Sequence, residues 1–518
     1  MTNWKWLLKS KKNASTYAIL ALALPLAVYC VTLGSSGGQE ANIVAVQSAI
    51  LNNHSLSIQF NWFDTVQFAG ENYSVYAPGY ALLSLPFAAA GFFIDGSATG
   101  FATHAILMDE LLLSIAASLS ALLVYKICLF YTRFQSVALL IAFTLTLATS
   151  IWPFGVEVFP HDLSMMFALL SVYLVLTYTR TRSRPMSLLG MAGLGLGVGT
   201  LVEYAAALFI APLLVYLVAK RREEGSRSSV SRVLNSGPIS FLASFIASGV
   251  GLNLLYNYAL FGDPLLFPQQ LYYNGIHFLL GSLAYHILLN LISPYRGLFL
   301  FSPVLLLGFY GLYRMSLSIA WRADAILFMS LFSLILVYYS AWQGWDGGAA
   351  YGPRFLVLGL PYLVIPITVF LSEKWSKIAR SVFLALFVLS SFIAGLGAFA
   401  GTPPSNTQDV FTYQPTSFGI SQILQGKLAV WWIQMLPSAD TLTIYISLGL
   451  VFAFIWLIAS YLSLRNLPNS RKVAFFDPKR TVSGQSDEHG GGRVNNVVRE
   501  GGLPAIALPT STVDLTSK

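Results

Sequence analysis

Residues 17–33 read Tyr-Ala-Ile-Leu-Ala-Leu-Ala-Leu-Pro-Leu-Ala-Val-Tyr-Cys-Val-Thr-Leu, and Gly34-Ser35-Ser36-Gly37-Gly38 follows at once. As a helix this apolar run reaches about 25 Å, close to the ~30 Å hydrocarbon core of a bilayer. Lys5, Lys9, Lys11 and Lys12 precede it, so it reads as a signal anchor and first span, with residues 1–16 left in the cytoplasm. Comparable runs recur near 105–130, 137–152, 162–179, 187–201, 203–219, 237–259, 297–313, 324–341, 355–372, 381–400 and 442–463. Strands of a membrane barrel would be roughly 10 residues long with alternating polarity, which these are not. The expected fold is therefore all-α: a polytopic transmembrane bundle of about 12 spans with both termini inside.

Composition agrees. The chain has 518 residues, 56% hydrophobic and only 10% charged, and a mean hydropathy of +0.66, which excludes a water-soluble globular protein. A net charge of +8 would suggest nucleic acid in a soluble chain, but here its placement is informative. With the spans above, 27 of the 30 Lys and Arg fall on the face shared by the N-terminus, which orients the chain by the positive-inside rule. Arg296, Arg354 and Lys427 are the exceptions. Glu40, Asp64, Glu71, Asp95, Glu157, Asp162, Glu203 and Asp346 fall on the opposite, extracytoplasmic face. Cys30 and Cys128 sit near opposite ends of their spans, too far apart to bridge.

The organisation that follows is a transmembrane domain over 17–463 and a Gly-, Ser- and Asn-rich tail over 464–518 that has too little apolar residue to form a core and is expected to be disordered in the cytoplasm. The first outer loop, 34–104, contains no Lys or Arg. Within it Ala41–Leu51 has helical periodicity and Gly79–Ile94 is apolar but short for a span, so both are expected to be interfacial or re-entrant helices.

Several outer residues are candidates for chemistry. Glu40 stands just beyond the first span at the start of a helix: it is a general base, a cation ligand, or an acid placed by the helix dipole. Asp64, Glu71, Tyr76 and Tyr80 lie in an aromatic-rich stretch suited to head-group depth or to ligand contact. Asp162, in Phe159-Pro160-His161-Asp162, caps a helix or, with His161, meets substrate. Mg²⁺ or Mn²⁺ held by Glu40, His161 or Asp162 is one option; no zinc spacing occurs. Arg296, in Ser293-Pro294-Tyr295-Arg296-Gly297, and Arg354, in Trp345-Asp346-Gly347-Gly348-Ala349-Ala350-Tyr351-Gly352-Pro353-Arg354, break a strong charge bias. Each guanidinium is placed to bind an outer phosphate, to reach lipid head groups, or to pair with Asp346.

Four elements together resemble the GT-C membrane glycosyltransferases that use polyprenyl-phosphate sugars, near the protein mannosyltransferase (glycosyltransferase family 39) and lipid A aminoarabinose transferase branch. They are Gln39-Glu40 opening the first outer loop before a helix, Tyr73-Ser74-Val75-Tyr76-Ala77-Pro78-Gly79-Tyr80, Ser293-Pro294-Tyr295-Arg296-Gly297-Leu298-Phe299, and Tyr351-Gly352-Pro353-Arg354. The likeness covers roughly 17–372. Two departures are plain: Gln39 stands where such proteins usually carry the first of two acids, and Tyr76-Ala77 where Lys-Pro is common. The resemblance implies a lipid-linked sugar donor and a glycan, lipid or protein acceptor beside the membrane lipids, with no nucleic acid. Sugar transfer at the extracytoplasmic face would have Glu40, aided by Asp64 or Asp162, as base. Arg296 and Arg354 would hold the phosphate, with Glu71, Tyr76, Tyr80, His161, Asp346 and Tyr351 lining the substrate. A flippase for lipid-linked saccharides would use the same arginines for binding only, and a membrane scaffold would use none of this.

Overall fold

A computed structural model describes residues 4–34, 40–59, 64–96, 102–181, 183–223, 237–373, 377–403 and 414–431, with 449 and 453 besides. The expected span at 442–463 and the tail at 464–518 lie outside the described residues. So do Gln39 and the side chain of Glu40.

The described chain is helical apart from one small hairpin. In order, α1 is Trp4–Thr32, α2 Glu40–Asn53, β1 Thr65–Phe68, β2 Glu71–Ser74, α3 Gly79–Asp95, α4 Thr103–Cys128, α5 Gln135–Leu147, α6 Ile151–Phe154, α7 His161–Arg180, α8 Met186–Val202 and α9 Ile210–Glu223. Further helices span Gly237–Phe245, Leu252–Phe261, Leu283–Ile292, Leu306–Leu317, Arg322–Ala341, Ile367–Glu373 and Lys377–Ala400. By length and composition, seven helices among the described residues can cross a membrane. The protein is a membrane-embedded helical bundle, as its composition predicted.

Proline accounts for two departures from that expectation. The spans expected at 297–313 and 355–372 are broken into short pieces around Pro303, Pro361 and Pro366, because each ring removes a backbone donor and clashes one turn back. The hairpin was not anticipated: β1 and β2 pair antiparallel, Phe68 facing Glu71, around Ala69 and Gly70, both with positive φ. That is the backbone a two-residue hairpin turn requires.

Packing follows from small residues as much as large ones. α8 lies between α7 and Gly237–Phe245, and a Cβ at Gly193 would sit 2.0 Å from the Phe241 carbonyl oxygen. The Gly193-x-x-x-Gly197 stripe thus lets two backbones meet, as small-xxx-small pairs do in membranes.

Two polar clusters fix which helix ends share a level. At one end Arg180 of α7 pairs with Asp324 at 2.5 Å, and Asp324 also accepts from Tyr131 at 3.0 Å and Tyr216 at 2.7 Å. At the other end the start of α7, the end of α8 and the end of Arg322–Ala341 meet at His161, Glu203 and Tyr339. The residues following α1 join this end, where the Gly34 N–H donates to Val156 O and the Trp431 N–H to Leu33 O. Between the two clusters α7 and Arg322–Ala341 therefore run in opposite directions.

Candidate active site

The first outer loop is built around α2. Its Asn42 Nδ2 donates to the Asp64 backbone oxygen at 2.9 Å, while Asn42 Oδ1 accepts from Ser74 Oγ at 2.5 Å. These bonds bring the hairpin onto the first turn of α2. Glu40, two residues before Asn42, therefore opens its helix within about one helical turn of Asp64. Asp64 has a positive φ, and its carboxylate accepts from Tyr76 Oη at 2.5 Å and Tyr272 Oη at 3.2 Å. Burial, with the Asp64 charge next, pushes the Tyr76 hydroxyl well above its ordinary value. Tyr76 is thus a neutral donor that holds the Asp64 carboxylate in place.

Beside this group stands a second one. His161 Nδ1 lies 3.1 Å from Glu203 Oε2, and Glu203 Oε1 accepts from Tyr339 Oη. Phe159, Phe355 and Phe154 surround the imidazole, which is 5% exposed.

Arg354 connects the two. Its guanidinium carbon is 5.2 Å from the centre of the Phe159 ring and 4.8 Å from that of Phe355. Its charge reaches Tyr76 and Tyr273 on one side and Glu203 and Tyr339 on the other. Among the described residues it has no hydrogen-bond or carboxylate partner, and its Nε is buried unpaired. A half-buried guanidinium walled by aromatic rings gains weak cation–π attraction and the longer-range field of Glu203 against its lost hydration. No carboxylate lies within ion-pair distance of it among the described residues.

Arg296 is the opposite case. It is 1% exposed, and it donates from Nε to Asp346 O at 2.6 Å, from Nη1 to Ala350 O at 2.6 Å and from Nη2 to Tyr295 Oη at 2.9 Å and to Gly348 O. Burial pushes its guanidinium down to about 10. The expected phosphate ligand instead splints the glycine-rich loop that leads to Arg354. Replacing it by leucine leaves several carbonyls unpaired, at roughly 1–3 kcal/mol each. Arg296→Leu is therefore expected to lower the thermal unfolding midpoint in detergent, read by size-exclusion of heated samples, before any effect on chemistry.

Other expected site residues also take structural roles. Asp346 accepts from the Gly348 N–H at 3.1 Å and from Tyr295 Oη at 3.4 Å, holding the same loop. Tyr351 donates to Ile393 O at 2.8 Å and packs on Phe301, and Tyr80 donates to Asp109 O at 3.0 Å. Glu71 is exposed at the start of β2, apart from these groups. Asp162 is fully buried, its Oδ2 3.1 Å from where a Cβ on Gly155 would be, and Tyr29 is the group its charge reaches. His161 and Asp162, adjacent at the start of α7, thus face different neighbours and do not converge on one ion. No group of three or more His, Cys, Asp or Glu that could hold a metal occurs among the described residues.

Sequence reading ranked Glu203 below the others and passed over Tyr339, Phe159 and Phe355. It also placed most of the acids at the outer helix ends, whereas Asp109 and Glu110 are fully buried within α4. A carboxylate inside an apolar run was the available signal.

The family model described as dolichyl-phosphate-mannose-protein mannosyltransferase matches residues 103–232. No curated protein matches the sequence. Among solved structures, ArnT from Cupriavidus metallidurans bound to undecaprenyl phosphate is 14% identical with a TM-score of 0.50, over 89% of this chain and 76% of that one. The same protein in the apo state gives 15% and 0.50 over 80% and 69%. The oligosaccharyltransferase of Archaeoglobus fulgidus tethered with an acceptor peptide gives 11% and 0.48; the match covers 77% of this chain and 59% of that chain. The alignment with ArnT over most of both chains and the matched family segment bear out the resemblance read from the sequence: the chain has the fold of the GT-C membrane glycosyltransferases.

Proposed function

We propose that the protein is an integral membrane glycosyltransferase that moves a sugar from a polyprenyl-phosphate donor to an acceptor on the extracytoplasmic face, with inversion. The observation that carries this reading is the Arg354 guanidinium, without a hydrogen-bond or carboxylate partner among the described residues, set against Phe159 and Phe355 and near Tyr76. A sugar phosphodiester carries one charge, and the polyprenyl phosphate that leaves gains another. A preorganised cation in a half-buried site stabilises that gain more than it stabilises the bound donor. Glu40 is the base that takes the acceptor's proton as its oxygen attacks the anomeric carbon, with Asp64 next to it to orient the acceptor. Undecaprenyl phosphate bound to ArnT supports a lipid phosphate as the ligand class.

A second reading, a carrier of lipid-linked saccharides, is favoured by Asp109 and Glu110 buried within a span. One assay separates the two. Membranes with and without the protein are given polyprenyl-phosphate donors with a radiolabelled sugar. Sugar appearing on an acceptor in step with protein amount supports the transferase. Labelled lipid crossing the bilayer unchanged, with no transfer from any donor, supports the carrier.

A further inference from the structure

Gln47, Ser84 and Asp109 come from three helices, α2, α3 and α4, and each is fully buried. Gln47 Nε2 lies 2.8 Å and 3.1 Å from the two Asp109 carboxylate oxygens and 2.6 Å from Ser84 Oγ. Ser84 Oγ donates to Tyr80 O at 2.9 Å, and Tyr80 Oη donates to Asp109 O at 3.0 Å. The proposed reaction uses none of these groups. A carboxylate held in this way costs stability, since an apolar trio of the same volume would pack without desolvation. What such a network supplies is a unique arrangement.

The arrangement it fixes is the rotation of α2. Ile43-Val44-Ala45-Val46 is apolar on every side, and its residues join two separate clusters, Ile43, Ala45 and Val46 in one with Leu113, and Val44 in the other with Ala105. Aliphatic contacts all round a helix favour its burial but hold its angle loosely; Asn42 pins the first turn to the hairpin, and Gln47 pins the following turns to α3 and α4. Gln47 lies seven residues after Glu40, two turns on and within about 20° of the same face. Fixing Gln47 therefore fixes the rotation of the helix on whose first turn residue 40 stands.

We propose that Gln47 and Asp109 are positioning residues that set the aim of Glu40 through the rotation of α2. This rests on the reading of Glu40 as the base, but the aim of residue 40 can be measured without that reading. The test uses the full chain in membranes, comparing wild type with Gln47→Leu, Asp109→Leu and the conservative Asp109→Asn, whose amide oxygen still accepts from Gln47. Transfer is expected to fall on the order of a hundredfold in kcat for the two leucine variants, as small misplacement of a reacting group does. KM for the donor should stay within about twofold, because Arg354 is untouched. Asp109→Asn should recover most of the rate.

In a second arm, Glu40→Cys is introduced in a Cys30→Ser background and labelled with a charged, impermeant maleimide. Its labelling rate should change several-fold when Gln47→Leu is added and hardly at all with Asp109→Asn. Leucine variants with wild-type kcat, or losses that only track the amount of folded protein, overturn the proposal, as does a labelling rate indifferent to Gln47. If Glu40→Gln proves fully active while labelling still responds to Gln47, the positioning stands and the assignment of the base fails.

Discussion

Glu40→Gln is expected to lower sugar transfer by about 10²–10⁴ while donor binding persists, the range lost when a general base is removed. Glutamine keeps the size of the side chain and its place at the start of α2 but cannot accept a proton from the acceptor. Gln39 cannot substitute, being an amide already. The measurement is transfer of radiolabelled sugar at matched protein levels, with donor binding measured separately. Wild-type transfer in Glu40→Gln removes Glu40 from the mechanism and moves the role to Asp64, the neighbouring carboxylate whose two tyrosine donors leave lone pairs open. Asp64→Asn would then carry the large loss.

Arg354→Ala should cost about 10²–10³ in kcat/KM, the usual effect of losing one preorganised donor to a developing anion. Part of it should appear as weaker donor binding, since the donor phosphate is charged before reaction as well as after. Arg354→Lys should recover only part, because an ammonium brings the charge without the planar fork or the stacking on Phe159 and Phe355. Wild-type activity in Arg354→Lys would mean that the guanidinium geometry contributes nothing beyond its charge. Full activity in Arg354→Ala would reject the phosphate site altogether.

The contrast between the two outer arginines shows where sequence reading stops. Both broke the same charge bias and both preceded an apolar run, so sequence marked them equally. Their difference is tertiary: carbonyls of a loop about fifty residues away converge on Arg296, while aromatic rings from two segments converge on Arg354. The helical class and most helix positions were legible because ~30 Å of hydrocarbon leaves a strong one-dimensional signal. Glu203 and Tyr339 were not, because a polar residue at the end of an apolar run looks the same whether it meets solvent or another helix. The hairpin's cue, Ala69-Gly70 between Thr-Val-Gln-Phe and Glu-Asn-Tyr-Ser, was local and weak against long apolar helices on either side.

The buried pair of Arg180 with Asp324, gripped by Tyr131 and Tyr216, has a mechanical consequence. It ties the region after α4, α7, α9 and Arg322–Ala341 together at the end of the bundle remote from Arg354. The opposite end is tied as well, through His161, Glu203 and Tyr339. Sugar transfer at one face leaves the Arg180–Asp324 tie in place, whereas a carrier that alternates access must break both ties in turn.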